Sequence, residues 1–331
     1  MLQSVDEPAS SEPPSTTASA NITIVVPTRN RAFTLQLVAT SYFEQALVDE
    51  IIFVDDAGSD DTGEVIAGIA KGYPSVSAVV VRNSSRLGAA RSRNVGVGRA
   101  RNKYILFCDD DEYLEAGYAR TCLEKLKRYD AGAVSGRRVY MQAGETEAAA
   151  LKRFGNGLRS AKPFHYSICE MVNGARFEGD RSQPFSNAVI LTRRDLVRKF
   201  PFDGHYARGT GYREETDYQM NLYVNGYSIY ISNDTHSIHL PLSQVRSGGQ
   251  RTSRLRRIYW AIFYTRYFYA KYYDDYANRT GLLTPKWLAL LEFSAFVIYR
   301  ETVRPLLHEG IMRLRAWRQE RIVAEVELRQ G

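Results

Sequence analysis

Lys103–Leu114 reads KYILFCDDDEYL. An apolar run, Tyr104 to Phe107, leads through one cysteine into three consecutive aspartates, Asp109, Asp110 and Asp111. A short, fully apolar run suits a strand buried on both faces. Carboxylates that close repel one another, and ionised carboxylates are rarely buried without a cation or a set of donors. The stretch therefore predicts a central strand whose end faces something positive.

The pattern repeats on either side. ITIVVP (22–27), EIIFVDD (50–56) and SAVVVR (77–82) read as strands. Between them, 32–45, 64–71, 86–101 and 114–129 read as helices, the last clearly amphipathic. Alternating β and α units predict an α/β fold with a mostly parallel, Rossmann-like sheet flanked by helices on both faces. Ligands in such folds gather at the carboxyl ends of strands. Asp55 and Asp56 would then share a rim with Asp109, Asp110 and Asp111.

After Ala131 the alternation becomes less regular. GAVSGRRVYM (132–141) reads as a strand, and 142–185 has no clear period. SNAVILTRRDLVRKF (186–200) reads as a strand and a short helix. REETDYQMNLYVNG (213–226) reads as a helix closed by Gly226 at C′. YSIYIS and THSIHL read as two short strands.

The chain has 331 residues, of which 44% are hydrophobic and 24% charged, a globular composition. Its three cysteines, Cys108, Cys122 and Cys169, lack metal-type spacing and do not form an even set, which predicts a reducing compartment. Residues 1–20, rich in Ser, Pro, Ala and Thr, read as a disordered tail without a signal peptide. Positive charge is concentrated at the other end. Residues 246–331 carry 16 of the 44 basic and 8 of the 37 acidic residues, a net of +8, against −1 for the remainder. Such asymmetry suits an acidic surface, membrane or nucleic acid. Within that region SRLRRIYWAIFYTRYFYAKYYDDYANR reads as a helix, and so does WLALLEFSAFVIY (287–299). As a helix the latter extends only ~20 Å, short of a ~30 Å bilayer core. No stretch reaches the ~18 apolar residues of a spanning helix.

The ordered set of motifs resembles a family 2 glycosyltransferase of the GT-A fold. The segments are VVPTRNR (25–31), FVDDAGSDDT (53–62), SSRLGAARSRNVG (84–96), FCDDDEYL (107–114), GYREETD (211–217) and HSIHLPLSQVRSGG (236–249). Each is weak alone, and their order and spacing make the signal. The resemblance covers about residues 21–250, divided into a nucleotide-sugar half (21–135) and an acceptor half (136–250). Residues 251–331 then form a basic, aromatic helical extension.

The resemblance implies an inverting, metal-dependent transferase that moves a sugar from a nucleotide-diphosphate sugar to a glycan or lipid-linked acceptor. FCDDDEYL matches the DxD segment, so Asp111 and Asp109 would hold Mn²⁺ or Mg²⁺, with His239 as a further metal or diphosphate contact and His236 less so. Hard oxygen ligands suit both ions. Asp56, with Asp55 beside it, matches the acid that contacts the base, and Pro27, Thr28 and Arg29 would lie at the nucleotide edge. Asp110 belongs to the same donor site. Arg86 and Arg93 offer forked donors for phosphate. Glu215 stands where the family has Asp and would be the base, with Glu214 and Asp217 positioning the acceptor. Arg246 and Arg251 flank a closing loop.

Plainer roles remain open for several of these residues. Asp55 and Asp56 also suit loop and helix capping. Glu214, Glu215 and Asp217 also suit the first turn of a helix by its dipole. His239 also reads as an ordinary strand-end histidine. The extension either packs on the catalytic body or lies in a membrane interface, peripheral on the inner face of a membrane, in a cytoplasmic protein.

Two rivals fit less well. A sugar-phosphate nucleotidyltransferase needs a glycine-rich, lysine-bearing loop near the first strand, and VVPTRNR has none. A non-catalytic basic binding protein leaves three acid clusters unexplained, and without a zinc-finger or aromatic RNA-binding motif no nucleic acid is expected.

Overall fold

The computed structural model describes residues 21–155, 163–172, 175, 177–241, 243–245 and 252–307. The expected tail at 1–20 and both loop arginines, Arg246 and Arg251, lie outside them.

In chain order the elements are β1 (Ile22–Thr28), α1 (Ala32–Val38), α2 (Thr40–Phe43), β2 (Val48–Asp55), α3 (Thr62–Ala70), β3 (Ser77–Arg82), α4 (Ala89–Arg99), β4 (Tyr104–Phe107), β5 (Glu112–Leu114), α5 (Tyr118–Arg128) and β6 (Ala133–Tyr140). There follow α6 (Glu147–Gly155), β7 (Phe164–His165), β8 (Glu170–Met171), β9 (Asp180–Ser182), β10 (Ile190–Arg193), α7 (Arg194–Lys199), α8 (Glu214–Val224), β11 (Ile229–His239), α9 (Arg254–Thr280) and α10 (Lys286–Ile298).

The main sheet runs β3-β2-β1-β4-β10-β6-β11-β5, with β9 also paired to β11. The first four strands are parallel, as expected. Beyond them the sheet is mixed: β10 is antiparallel to both its neighbours, and β5 and β9 are antiparallel to β11.

Side chains alternate between two cores. Ile22, Ile24 and Val26 of β1 and Leu106 of β4 meet Leu35, Tyr42, Tyr118 and Leu123 on one face. Val25 of β1 and Ile105 and Phe107 of β4 meet Ala90, Val97, Leu196 and Tyr218 on the other. Gly96 allows the second contact: a Cβ there would come within 2.5 Å of Val25 Cγ1. β3 is an exposed edge strand, with Val79 and Val80 on the surface.

Register sets the position of the acids. Thr28 pairs with Asp55 and Val25 with Phe107, so β1, β2 and β4 end on one rim. Immediately after Asp111 the chain enters β5, whose Glu112 pairs with His239 of β11. YSIYIS and THSIHL are one strand, β11, with a register shift between Ile231 and His236. The helix expected over 32–45 is two short helices meeting at Ala39, where Ser41 Oγ donates back to Val38 O at 2.7 Å. Gly226 follows α8 with φ +96°.

The C-terminal region is helical and packs on the body. Phe268, Tyr269, Tyr272 and Tyr276 of α9 share a core with Phe185, Met220 of α8 and Ala289 of α10. No described helix is long and apolar enough to cross a membrane. All three cysteines are reduced and buried.

Candidate active site

The rim opens into a cleft of about 1010 Å³. Its polar wall is a chain of alternating charge. Arg93 Nη1 donates to Glu214 Oε1, and Arg93 Nη2 donates to Asp109 Oδ1 at 2.9 Å. Arg138 Nη2 donates to Asp109 Oδ2 at 2.9 Å, and its Nε donates to Glu112 Oε1 at 2.7 Å. Ser237 Oγ adds a bond of 2.9 Å to the same Glu112 oxygen. Arg93, Glu112 and Glu214 are buried. Isolated charges at such depth are costly, and this chain gives each one an opposite partner.

The positive partners implied by the three aspartates are therefore side chains. Asp109 lies between two guanidiniums. Asp110 faces Arg31 Nε at 3.5 Å, and Asp111 faces His239 Nε2 at 3.6 Å. Burial pushes the Asp109 carboxyl up, but Arg138 and Arg93 outweigh it and hold it below its ordinary value. Burial pushes Asp110 up to about 7 against the pull of Arg31, and Glu112 up to about 7 against Arg138. Glu214 is pushed up to about 8, again by burial, with Arg93 opposing and Glu215 adding to the rise. Burial and Arg138 lower His239. Neighbouring carboxyls are thus set to different proton affinities.

The start of α8 is fixed by Arg213, on the cleft wall, and by rings packed behind it. Arg213 precedes it with φ +76°, a left-handed conformation unusual for a non-glycine residue. Its guanidinium is buried, donating to Cys169 O at 2.7 Å and lying 2.8 Å from Glu170 Oε2. Phe268 of α9 and Phe293 of α10 each place a ring 5.0 Å from it. The C-terminal helices thereby hold the residue that aims Glu214 and Glu215.

Most residues expected from sequence line this cleft: Pro27, Thr28, Arg29, Asp56, Arg86, Arg93, Asp109, Asp110, Asp111, Glu214, Glu215 and His239. Among the described residues, Glu215 makes no side-chain hydrogen bond or ion pair. Asp56 is buried and already accepts from Asn83 Nδ2 at 3.0 Å, Leu87 N at 2.6 Å and Gly88 N at 2.8 Å. It organises the loop before α4.

Several of the expected residues lie away from the cleft or already have partners. Asp217 does not line the cleft. It is buried behind α8, where Lys271 Nζ reaches it at 2.7 Å and Tyr206 Oη donates to it at 2.8 Å. Asp55 also lies behind the wall, accepting from Gly58 N at 2.7 Å. His236 pairs with Glu115 at 3.0 Å. Asp109, Asp111 and His239 do not close into a metal-binding group; among the described residues no three His, Cys, Asp or Glu side chains do. The reason is that both oxygens of Asp109 are taken by arginines. Sequence reasoning missed Arg31, Glu112 and Arg138. Arg31 ends the VVPTRNR segment and Glu112 directly follows Asp111, whereas Arg138, in GRRVYM, carries no motif signal.

The glycosyl transferase family 2 profile matches residues 23–201, from β1 through α7. Among curated proteins, a GalNAc(5)-diNAcBac-PP-undecaprenol beta-1,3-glucosyltransferase of Campylobacter jejuni is 31% identical over 105 residues, 31% of this chain and 34% of its own. An uncharacterised glycosyltransferase of Bacillus subtilis, YwdF, is 31% identical over 110 residues, 33% of this chain and 39% of its own. The chain thus spans about a third of the length of the curated relatives it matches. Two solved structures share the fold at low identity. S. aureus TarS in complex with UDP-GlcNAc is 15% identical with a TM-score of 0.59, covering 86% of this chain and 76% of its own. The mannosyltransferase PcManGT of Pyrobaculum calidifontis, in complex with GDP-Man and Mn²⁺, is 16% identical with a TM-score of 0.54, covering 91% and 84%. The GT-A-type sheet, the order of the acidic segments along it and the extent of the profile agree, and the chain belongs to glycosyl transferase family 2.

Proposed function

We propose that the protein transfers a sugar from a nucleotide-diphosphate sugar to an acceptor hydroxyl, with inversion and with the help of a divalent cation, Mn²⁺ or Mg²⁺. The observation that carries this reading is that Asp56, Asp111 and Glu215, from three distant motifs, line one cleft. The folds of TarS and PcManGT, whose structures hold nucleotide sugars, support it.

Asp111 and His239 fit the cation. Magnesium is commonly bound by one or two carboxylates plus substrate phosphates, a part Asp111 would fill, and His239, 3.6 Å from it, would add a further contact better suited to Mn²⁺ than to Mg²⁺. A bound cation would offset the charge of the departing diphosphate. Glu215 is the base: it lines the cleft, and its carboxylate has no hydrogen-bond or ion-pair partner among the described residues. It accepts the acceptor hydroxyl's proton as that oxygen attacks the anomeric carbon. Glu214, tied to Arg93, positions the helix end that carries Glu215. Arg29 and Arg86, on the cleft wall, supply forked donors to the diphosphate. Asp56 holds the Leu87–Gly88 loop and keeps an accepting site for the base.

A lipid-linked acceptor is part of the proposal. The Campylobacter jejuni relative is named for a polyprenyl diphosphate substrate. In this chain Trp287, Leu291 and Ile298 leave an exposed apolar stripe along α10, and exposed Leu283 lies just before it. That face would rest in the surface of an anionic membrane. The test of the whole reading is a thermal-shift screen of UDP, GDP and dTDP sugars with and without Mn²⁺, since a ligand of the folded state raises stability. Co-sedimentation with anionic liposomes at low salt tests the membrane contact. No shift with any donor overturns the first, and no liposome binding the second.

A further inference from the structure

A second cavity, of about 1020 Å³, opens beside the first. Arg86 lines both. Between them runs a single segment: Ala207, Arg208 and Gly209 face the second cavity, and Thr210 and Gly211 face the first. Two glycines make this arrangement possible. A Cβ at Gly88 would lie 2.8 Å from Ala207 Cα, so the loop before α4 touches the segment backbone to backbone. Gly209 has φ +63°, and a Cβ there would lie 2.3 Å from the Trp260 ring, so the indole rests on its backbone.

The wall has two chemistries. From α9 come Tyr259, Trp260, Phe263 and Tyr264. Trp260 packs between Gly209 and the fully buried Tyr264, its centroid 5.3 Å from that ring and the planes at 24°, while Tyr259 and Phe263 are the exposed rings. From the other segments come Arg86, Arg91 and Arg208, all exposed. No acidic residue lines the cavity among the described residues, and none of these arginines has an ion-pair partner there. Elsewhere the buried arginines of the site are matched, as Arg93 and Arg138 are.

Three guanidiniums on one concavity repel one another unless an anion joins them, and their forks match phosphate oxygens. An anion alone has no use for a row of aromatic faces. The apolar C–H face of a sugar ring does, because it packs flat on such rings. We propose that this cavity binds a phosphate-bearing saccharide, and that in the transferase proposed above it holds the part of the acceptor that extends beyond the first cleft. The second clause rests on that function, whereas the ligand chemistry does not.

Calorimetric titration of the full chain with glucose 6-phosphate tests the proposal, with inorganic phosphate and glucose titrated in parallel. The expected result is that glucose 6-phosphate binds more tightly than either. The double variant R91A/R208A should weaken it by about tenfold or more, the scale of one lost charge-assisted contact. Y259A/F263A, which keeps all three arginines and removes the exposed rings, should also weaken it. Hydrolysis of the donor found in the nucleotide-sugar screen, which uses the first cleft and water, should be unchanged in R91A/R208A. Undiminished binding in the double variant overturns the proposal. Equal binding of inorganic phosphate also overturns it, and means an adventitious ion only. If no donor shifts the melting temperature but the sugar phosphate still binds through Arg91 and Arg208, the ligand assignment stands and the transferase reading fails.

Discussion

Arg93 Nη1 donates to Glu214 Oε1 and so joins α4 to α8 across 121 residues of sequence. The side chains are only 5% and 6% exposed. The same guanidinium holds Asp109, so the arginine of one motif links the acids of two others. The link is a structural condition for the cleft, because without Arg93 two carboxylates would share a buried wall.

Above about pH 8, where Glu214 is ionised, Arg93→Met is therefore expected to destabilise the fold by about 3–5 kcal/mol, the cost of stranding a buried charge. R93M/E214Q should recover part of that loss, since the stranded carboxylate is gone. Urea unfolding of the two single variants and the double gives the coupling energy. Strictly additive losses would mean that the contact contributes nothing.

The pH dependence of stability follows from Glu214. Its folded pKa, about 8, lies above its ordinary 4.5. The fold therefore binds the proton more tightly than the unfolded chain does. This contribution to stability is complete below about pH 4.5 and is lost as pH rises through about 8. E214Q should flatten the wild-type decline over that window. The difference between the two proteins, measured by denaturant unfolding at several pH values, isolates this residue from Asp110 and Glu112, which are shifted the same way. Parallel curves would refute the assignment.

The sheet was legible because burial on both faces leaves a plain mark. β1 and β4 are continuous apolar runs, and both form with every residue buried. The common rim was legible for the same reason, since parallel strands of known direction end together. Antiparallel β10 was not, as its direction depends on pairing with β4 and β6, which no local pattern encodes. Asp217 shows the limit within one motif. It lies two residues beyond Glu215, roughly on the opposite side of α8, and so turns away from the cleft to Lys271 of α9, a partner 54 residues on. Arg138 was missed because nothing around it in sequence announces that Asp109 and Glu112 will meet it.

Glu215 and Glu214 should separate cleanly. Glu215→Gln keeps the shape of the cleft, so donor binding is expected to stay while turnover falls by about 10²–10⁴, the range for loss of a positioned base. Donor affinity by thermal shift and rate by product release distinguish the two effects. A fully active E215Q would return the role of base to another group.

Asp109 and Asp111 share one motif but differ in partners, and their asparagine variants should differ accordingly. Asp111→Asn is expected to abolish the Mn²⁺-dependent part of any donor-induced shift and to leave the melting temperature of the unliganded protein nearly unchanged. Asp109→Asn weakens bonds from Arg93 and Arg138 together and should lower that melting temperature. Hydrogen bonds to charged groups contribute about 1.5–3 kcal/mol each. The reverse pattern would make Asp109 the cation's residue and Asp111 the structural one.

Lys271 tests whether Asp217 serves structure or chemistry. Its ammonium lies 2.7 Å and 3.0 Å from the two Asp217 oxygens and 2.8 Å from Asp203. Tyr206 and Tyr272 also donate to Asp217. The carboxylate side chain is 2% exposed, and burial raises its pKa against the pull of Lys271. Lys271→Met removes the one full positive charge in this set and should cost about 3 kcal/mol, the lower end for a broken buried pair. The cost should shrink in acid, where Asp217 takes up a proton. In K271M/D217N the buried charge is gone, and the two tyrosines still have an amide oxygen to meet, so most of the stability should return. Turnover decides the role. If Asp217 only anchors α8 to α9, the double variant transfers sugar at close to the wild-type rate once folded. A stable double variant that binds donor but turns over a hundredfold more slowly would place Asp217 in the chemistry after all, acting through the helix that carries Glu215.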